Sequence, residues 1–399
     1  MNSSDRSILI VTCYGHFLSH FNMLVFPAIL LPLAAHLQLD VGSTLDLAFW
    51  MYLLFGLSAL PWGLLADKFG PRPLLTIFYV GAGLSGLSAA YQVDSPLGLQ
   101  LSLAGLGLFS GIYHPAGLGW IACCVSKTST GMAYNGMFGN LGLAMGPLLA
   151  GLVNWLWGLQ AVYICLGVIN AVGLIFLFKV KTHHCVTDRK ATSRDDTASW
   201  KGFTLLLFCM MLGGIVYRGA TVTLPTLFEL HAAGIFSFIK SIFSASNLSS
   251  NVVATTMTSC LYLVGMLGQY TGGRVGEKYD LRISYLFFHL VTIIPAIVIG
   301  MVSDVSLVLL ATLHSFFLLG MQPIENTLVA RLTPPSLRSS AYGMKFILTF
   351  GVGALAVKII KLVELKWGLE AVFPALGMVS LALVCGIGVL IAATPRMRS

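Results

Sequence analysis

The sequence contains few charged residues for its length. Only 10% of the 399 residues are charged, whereas 57% are hydrophobic. A chain of this size needs more polar surface than this to form a water-soluble fold. The composition therefore excludes a soluble globular protein and predicts that lipid covers much of the surface.

Sequence signs of catalysis are also lacking. There is no nucleophile with a paired base, no HExxH segment, no phosphate-binding loop and no soluble sensor domain. These absences argue against a membrane enzyme and against a receptor, which remain the alternatives from other classes. We predict that the protein is not an enzyme and uses no cofactor.

Long apolar runs recur along the whole chain, each near or above the roughly 20 residues that a helix needs to cross the hydrocarbon layer. They are continuously apolar rather than alternating, which favours helices over a β-barrel. The first run lacks a small-residue cleavage pattern, so we expect a retained helix. The twelve predicted spans are 7–35, 46–66, 72–91, 96–125, 130–153, 158–179, 202–230, 251–275, 282–302, 305–330, 337–360 and 368–393.

The basic residues give a net charge of +8, but their positions argue against nucleic acid as a partner. In a twelve-span topology most of them, including Arg6 and the cluster at 179–201, fall on one side, and the opposite connections carry few. This asymmetry is the positive-inside bias. We predict a multi-pass protein of the plasma membrane, or of the inner membrane in a bacterium, with both termini in the cytoplasm.

The chain consists of two related halves. Segment 52–72 aligns without a gap with 262–282, and Trp157-Gly-Leu-Gln-Ala-Val-Tyr recurs from Trp367 at the same offset. We predict an all-α membrane protein of two pseudo-symmetric six-helix bundles, 1–178 and 202–399, joined by a cytoplasmic linker at 179–201. Between the seventh and eighth spans, 234–250 carries apolar residues on one helical face and is either an interfacial amphipathic helix or a plain loop.

The connection between the second and third spans carries a distinctive motif. It reads Gly63-Leu-Leu-Ala-Asp67-Lys68-Phe-Gly70-Pro-Arg72, and a degenerate copy runs from Gly273 to Arg282. This spacing resembles the signature of the major facilitator superfamily, and the span count, linker and repeat extend the resemblance to the whole chain. Two residues depart from the pattern: Pro71 replaces a basic residue and Asp280 replaces a glycine.

The resemblance implies a major facilitator fold and secondary transport by alternating access. It also implies that the two loops form a conformational latch, in which glycines let helices approach and an acidic residue meets a basic partner or a helix N-terminus. An ordinary solvated turn is the alternative. The expected latch residues are Gly63, Asp67, Lys68, Gly70, Arg72, Gly273, Glu277 and Arg282.

The fifth span contains closely spaced small residues and a proline: Gly142, Gly146, Pro147 and Gly151. They resemble the GxxxGP motif of family exchangers, which implies export in exchange for protons; a packing motif is the alternative. The segment Gly-Ile-Tyr-His-Pro-Ala-Gly at 111–117 is similar to the branch that includes the fosmidomycin resistance protein. The fourth span lacks the arginine that many proton-coupled exporters carry there.

Ionisable residues inside spans are the best indicators of a site, because each is costly in lipid unless it faces a cavity or a partner. The resemblance implies that spans one, four, seven and ten line a central cavity, where His20, His114, Arg218 and Glu325 would converge. The alternatives are histidines that only pack helices and a structural ion pair of Arg218 with Glu325. The predicted substrate-binding or proton-coupling residues are His16, His20, Tyr113, His114, Asn135, Tyr217, Arg218, Gln322, Glu325, Asn326 and Lys345.

The residue types suggest roles. Arg218 suits an anionic substrate group, and the histidines and Glu325 are candidate proton carriers. His16 and His20 share a helical face at a spacing that can hold a metal, but no acidic or cysteine ligand stands near them in sequence, so we predict no metal.

We predict a monomeric secondary transporter in membrane lipid that moves a small organic, anionic or amphipathic solute by proton-coupled export. Proton-coupled uptake of a metabolite or of a metal chelate is the alternative.

Overall fold

A computed structural model describes residues 3–180, 199–243, 247–334 and 338–397, and these residues form helices and turns with no strand. They belong to two compact units, Met1–Arg189 and Lys190–Ser399. Most of the predicted linker at 179–201 lies outside the described residues.

The first unit contains nine helices among its described residues. They are α1 Ser3–Ala28, α2 Leu30–Leu37, α3 Val41–Asp46, α4 Phe49–Leu57, α5 Ala59–Phe69, α6 Pro71–Tyr91, α7 Pro96–Ser110, α8 Tyr113–Cys124 and α9 Thr128–Phe178.

The second unit contains nine α-helices and three short irregular turns in its described part. The α-helices are α10 Trp200–His231, α11 Ala233–Phe243, α12 Ser250–Lys278, α13 Leu281–Ile299, α14 Asp304–Gly320, α15 Gln322–Leu332, α16 Arg338–Phe346, α17 Leu355–Trp367 and α18 Val372–Ala393. A π-helical turn at Ile347–Gly351 and a 3₁₀ turn at Val352–Ala354 separate α16 from α17, and a 3₁₀ turn at Leu369–Ala371 precedes α18.

The described residues contain ten helical segments that are long and apolar enough to cross a membrane. The bent pair Val41–Leu57 and Ala59–Phe69 forms an eleventh span. One of the ten, Thr130–Phe178, is interrupted at Gly158 and so comprises two spans, which gives twelve. The predicted all-α membrane fold is confirmed.

In both units a glycine at the same repeat position ends one span and begins the next. Gly158 has a φ of 84° and Gly368 has a φ of 83°. Side chains disfavour this left-handed region, whereas glycine adopts it freely. The matching tryptophan-glycine segments of the sequence therefore make the same backbone turn.

The fourth and tenth spans are each broken near the middle. The helix boundary lies at 111–112 between α7 and α8 and at Met321 between α14 and α15, where the backbone stays in the right-handed helical region, and the first turn of the next helix contains Pro115 or Pro323. Proline lacks an amide hydrogen and tolerates only the first turn of a helix. In both units a new helix thus begins beside the predicted site residues.

The eleventh span is irregular beside α10. A Cβ on Gly214 would lie 2.3 Å from the carbonyl oxygen of Thr349, and one on Gly353 would lie 3.0 Å from the carbonyl oxygen of Gly214. Glycines on both helices therefore allow α10 to contact the π-helical turn, which follows Lys345 closely in the chain.

The segment after the seventh span is helical at Ala233–Phe243, which excludes a plain loop there. The backbone amide of Ile235 donates to the Asp304 carboxylate at 3.0 Å, while Phe238 and Ile242 are exposed. An exposed apolar side is what an interfacial helix presents to lipid, and its placement at the membrane surface stays a prediction.

Candidate functional site

Five predicted site residues of the first unit form one cluster. His16 and His20 lie one turn apart on α1 with their Nε2 atoms 3.2 Å apart. The ring centroid of His114, at the start of α8, lies 5.2 Å from that of His16 and 5.4 Å from that of His20. Tyr113 stacks on His16 at 5.1 Å and accepts a 2.7 Å hydrogen bond from the Asn135 amide.

The ring of His16 is held by α9. Its Nδ1 lies 2.8 Å from the backbone carbonyl oxygen of Asn135. A carbonyl only accepts, so in the neutral ring Nδ1 carries the hydrogen and Nε2 keeps its lone pair. One turn along α9, a Cβ on Gly139 would lie 2.7 Å from that Nε2. A side chain at this position would therefore displace the imidazole.

The small residues of the fifth span bring α9 against α1. A Cβ on Gly142 would lie 2.1 Å from the carbonyl oxygen of Phe17, and one on Gly146 would lie 3.1 Å from Cβ of Leu24. Pro147 and Gly151 follow in the same helix, which stays helical up to Gly158. This geometry accounts for two of the glycines by packing, and the exchanger role of the motif stays a prediction.

The second unit contains a buried ion pair. Lys345 Nζ lies 2.7 Å from Glu325 Oε1, and both side chains are buried. The Tyr285 hydroxyl donates to Glu325 Oε2 at 2.9 Å, and Lys345 also donates to the amide oxygen of Asn326. The carboxylate thus has a cationic partner and a neutral donor, one on each oxygen.

Lys345 and Tyr285 are the observed partners of Glu325, and the alternative of a standing pair with Arg218 stays a prediction. Arg218 and Tyr217 lie buried on α10, one turn after the contact of Gly214 with the π-helical turn. Gln322 accepts a hydrogen bond of 2.7 Å from the amide of Gln269. The convergence of histidines from one unit with Arg218 and Glu325 from the other stays a prediction.

The two loop motifs differ in backbone conformation. Gly70 ends α5 with a φ of 84°, whereas its counterpart Asp280 has a φ of −60° and accepts from the Arg282 amide as the cap of α13. The departure from glycine is thus compatible with the turn.

The glycines that begin the two motifs each lie beside a proline of the neighbouring span. A Cβ on Gly63 would lie 3.3 Å from Cβ of Pro115, and one on Gly273 would lie 4.0 Å from Cβ of Pro323. Among the predicted latch residues, Asp67, Lys68 and Glu277 are exposed and Arg72 is half-buried. The carboxylate of Glu277 lies 3.7 Å from the guanidinium of Arg274.

Arg282 ties the second loop to the end of α18. Its guanidinium contacts the Asp280 carboxylate at 2.8 Å, the Ile391 carbonyl at 3.0 Å and the Thr394 carbonyl. Burial would raise the pKa of Asp280, but the hydrogen bonds from Arg282 outweigh it and lower the pKa below its usual value. The stabilisation is therefore present above the unfolded-state pKa and is lost as pH falls through the folded-state value.

Three further polar residues lie around these clusters and were not among the predicted site residues, although His289 and His314 are ionisable residues within predicted spans. Tyr285 and His289 lie one turn apart on α13 with ring centroids 4.7 Å apart, and Tyr285 reaches Glu325. His314 on α14 has Nδ1 3.1 Å from the Thr292 carbonyl. The spacing of four between Tyr285 and His289 was the available signal, since it places both on one helical face.

A polar network also lies inside the first unit. Asn22 donates to Ser110 and to the side-chain oxygen of Asn170, each at 3.0 Å, and Asn170 donates back at 2.9 Å. These bonds satisfy amides that are costly to bury in an apolar bundle.

The fold and its buried polar clusters define a multi-pass helical membrane protein with a duplicated six-span unit. Residues 12–253 match the family model of the Major Facilitator Superfamily, and the chain belongs to that superfamily. It is therefore a transporter rather than an enzyme.

Known proteins resemble the chain over nearly its whole length. A Haemophilus influenzae protein with the description "Putative metabolite transport protein" is 23% identical over 95% of this chain and 94% of its own. The multi-drug resistance efflux pump PmrA of Streptococcus pneumoniae is 23% identical over 92% of this chain and 91% of its own. The crystal structure of a D-xylose-proton symporter matches with a TM-score of 0.74 at 13% identity, covering 98% of each chain.

Proposed function

We propose that this transporter exports a small organic anion or amphipathic molecule by alternating access, driven by protons that enter as the substrate leaves. Export is supported by the efflux pumps among its relatives. The buried pair of Glu325 and Lys345 is the observation that carries the proton coupling.

The ion pair can couple protonation of Glu325 to a movement of Lys345. Two opposite charges buried together balance each other, and removing one leaves the other uncompensated in a medium of low dielectric. A proton on Glu325 would neutralise the carboxylate and leave the Lys345 cation without its counterion. Proton binding is thereby coupled to a movement that brings Lys345 another anion or water.

Arg218 is the proposed anchor for the substrate. It is a permanent cation buried within a membrane span, and its planar donor fork matches a carboxylate or phosphonate. Tyr217 precedes it and has a hydroxyl that can orient a bound group.

The first prediction concerns Arg218. A panel of organic anions is screened by thermal shift on purified protein, and the best ligand is followed by isothermal titration. Arg218→Ala is expected to abolish binding, while Arg218→Lys keeps the charge but loses the bidentate fork and weakens binding by about tenfold or more. Size-exclusion profiles check folding, and unchanged binding in folded Arg218→Ala would place the anion elsewhere.

Transport itself is tested in liposomes. Purified protein with an imposed pH gradient should accumulate the screened ligand on the acidic side, and collapse of the gradient by an ionophore should stop it. Accumulation on the opposite side would support the alternative of proton-coupled uptake. Liposomes that move none of the binding ligands under either gradient would refute the proposal.

A further inference from the structure

His16, His20 and His114 form a cluster that the transport proposal does not use. One ligand nitrogen from each ring can be chosen so that all three lie within 4.8 Å of one another. Four groups are needed to complete a tetrahedral zinc site, and three histidines with an open position are a common arrangement. Because His114 joins His16 and His20, we propose, against the expectation from the sequence of no metal, that these residues bind a divalent transition-metal ion such as Zn²⁺, with coordination completed by water or an anion.

The distance between the first two histidines suits a metal. Ligand nitrogens bound at about 2.0–2.1 Å in a tetrahedral site are about 3.3 Å apart. The Nε2 atoms of His16 and His20 are 3.2 Å apart, although a hydrogen bond between the rings has the same length. The pair therefore needs little movement to hold an ion between its nitrogens.

The contact of His16 with α9 favours the metal. The Asn135 carbonyl at Nδ1 fixes the tautomer that leaves a lone pair on Nε2, the nitrogen facing His20. Metal-bound histidines commonly donate their other ring nitrogen to a backbone carbonyl in this way. The ring of His16 packs against Gly139, where a Cβ would lie 2.6–2.9 Å from Cε1, Nε2 and Cδ2.

His114 supplies the third ligand from a different helix. Its ring stands edge-on to both partners, with interplanar angles of 84° and 71° and nearly equal centroid distances. His114 is the second residue of α8, and its ring contacts both α1 histidines.

The donor set indicates which ions fit. Imidazole favours zinc, nickel, cobalt and copper, whereas Mg²⁺ and Ca²⁺ require oxygen ligands. No carboxylate joins the cluster in the part of the chain that the structure describes. A bound divalent ion would keep its full charge and would therefore attract an anionic fourth ligand.

The experiment uses full-length protein purified without a histidine tag and carrying His183→Gln and His184→Gln, which remove the adjacent histidines of the linker. Isothermal titration with ZnCl₂ should show one ion per chain, and MgCl₂ should give no heat. Co²⁺ should give the intense visible bands of a tetrahedral site, and X-ray absorption should show three imidazole ligands. Absence of Zn²⁺ and Co²⁺ binding overturns the site.

Variants locate the ion. His16→Gln, His20→Gln and His114→Gln should each weaken Zn²⁺ binding by more than about 100-fold, since removal of a supporting contact alone costs 10–100-fold. Gly139→Ala, which removes no ligand, should weaken it by about tenfold. His36→Gln, at a histidine that contacts Asp94 instead, and Gly136→Ala, where a Cβ meets nothing within 4 Å, are the matched controls.

Two outcomes refute the assignment. Wild-type affinity in folded His114→Gln would exclude the third ligand, and equal losses in His36→Gln would show nonspecific binding. If the ligand variants fail to fold, the imidazole count from X-ray absorption on the parent protein still decides. Metal binding without anion transport would support this site and refute only the transport proposal.

Discussion

At the scale of single residues, Glu325 and Lys345 dominate the chemistry of the second unit. They lie on different helices, α15 and α16, and their side chains meet at 2.7 Å. A buried pair of this kind is worth little over an apolar replacement, but breaking it by removing one partner costs about 3–5 kcal/mol. Variants that remove one charge or both charges can therefore show whether the pair contributes to stability, to proton coupling or to both.

Glu325→Gln is expected to lower the thermal stability of the purified protein, because it leaves the Lys345 cation buried without a counterion. The double variant Glu325→Gln/Lys345→Met removes both charges and should regain most of the melting temperature, yet neither variant should transport under a pH gradient. The measurements are thermal unfolding in detergent and flux in liposomes. Proton-driven flux in the double variant would exclude the pair as the coupling group.

The sequence identified these residues by a general rule, that charges inside spans need partners, but it did not identify the partners. Arg218 was the alternative partner for Glu325, and the observed partners are Lys345 and Tyr285. Pairing of side chains on different helices depends on helix rotation, which spacing within one helix does not determine. His16, His20 and His114 show the same limit, since the third histidine comes from α8.

At the scale of elements, the contact of α1 with α9 holds the first-unit cluster in place. Gly139 and Gly142 lie on one face of α9 and meet His16 and Phe17 of α1. Helices in lipid associate through such close contacts, because there is no hydrophobic driving force between them.

Gly142→Ala is expected to separate α1 from α9, because the new methyl group would lie 2.1 Å from the Phe17 carbonyl oxygen. Overpacking of this kind costs about 1–3 kcal/mol. Thermal unfolding should show a lower melting temperature than wild type. Gly136→Ala on the same helix has open space and should be neutral or slightly stabilising; equal losses in both variants would contradict the packing role.

The number and helical type of the membrane spans could be predicted from hydrophobic length alone, whereas the division of spans into separate helices could not. The breaks were not predicted: proline and glycine near the middle of the fourth and tenth spans allow an interruption, but neighbouring helices decide where it falls. The same holds for the π-helical turn at Ile347–Gly351, which packs on α10 at Gly214.

At the scale of the whole molecule, the duplication provides two copies of the loop between adjacent spans. The copies share the contact of a glycine with the proline of a broken span, at Gly63 and Gly273. The acidic residues Asp67 and Glu277 are exposed in both copies, whereas the last basic residue differs: Arg282 is buried and binds the end of α18, while its counterpart Arg72 is half-buried.

Asp67→Asn is expected to slow transport without changing substrate affinity, because a latch residue acts on the conformational change and not on binding. Initial flux rates in liposomes and titration of the same ligand give the two quantities. Glu277→Gln, the counterpart in the second loop, should have the smaller effect. A large loss of affinity in Asp67→Asn would exclude the latch role.

The π-helical turn at Ile347–Gly351 also makes the position of Lys345 depend on chain length. Such a turn contains about one residue more than an α-helical turn, and each residue of an α-helix rotates the chain by about 100°. Deleting one residue within 347–351 should therefore remove the π-helical turn and rotate Lys345 away from Glu325, with loss of proton-driven flux. Leu348→Ala, which keeps the length, should retain it, so a deletion would reveal a constraint here that a scan of substitutions would miss.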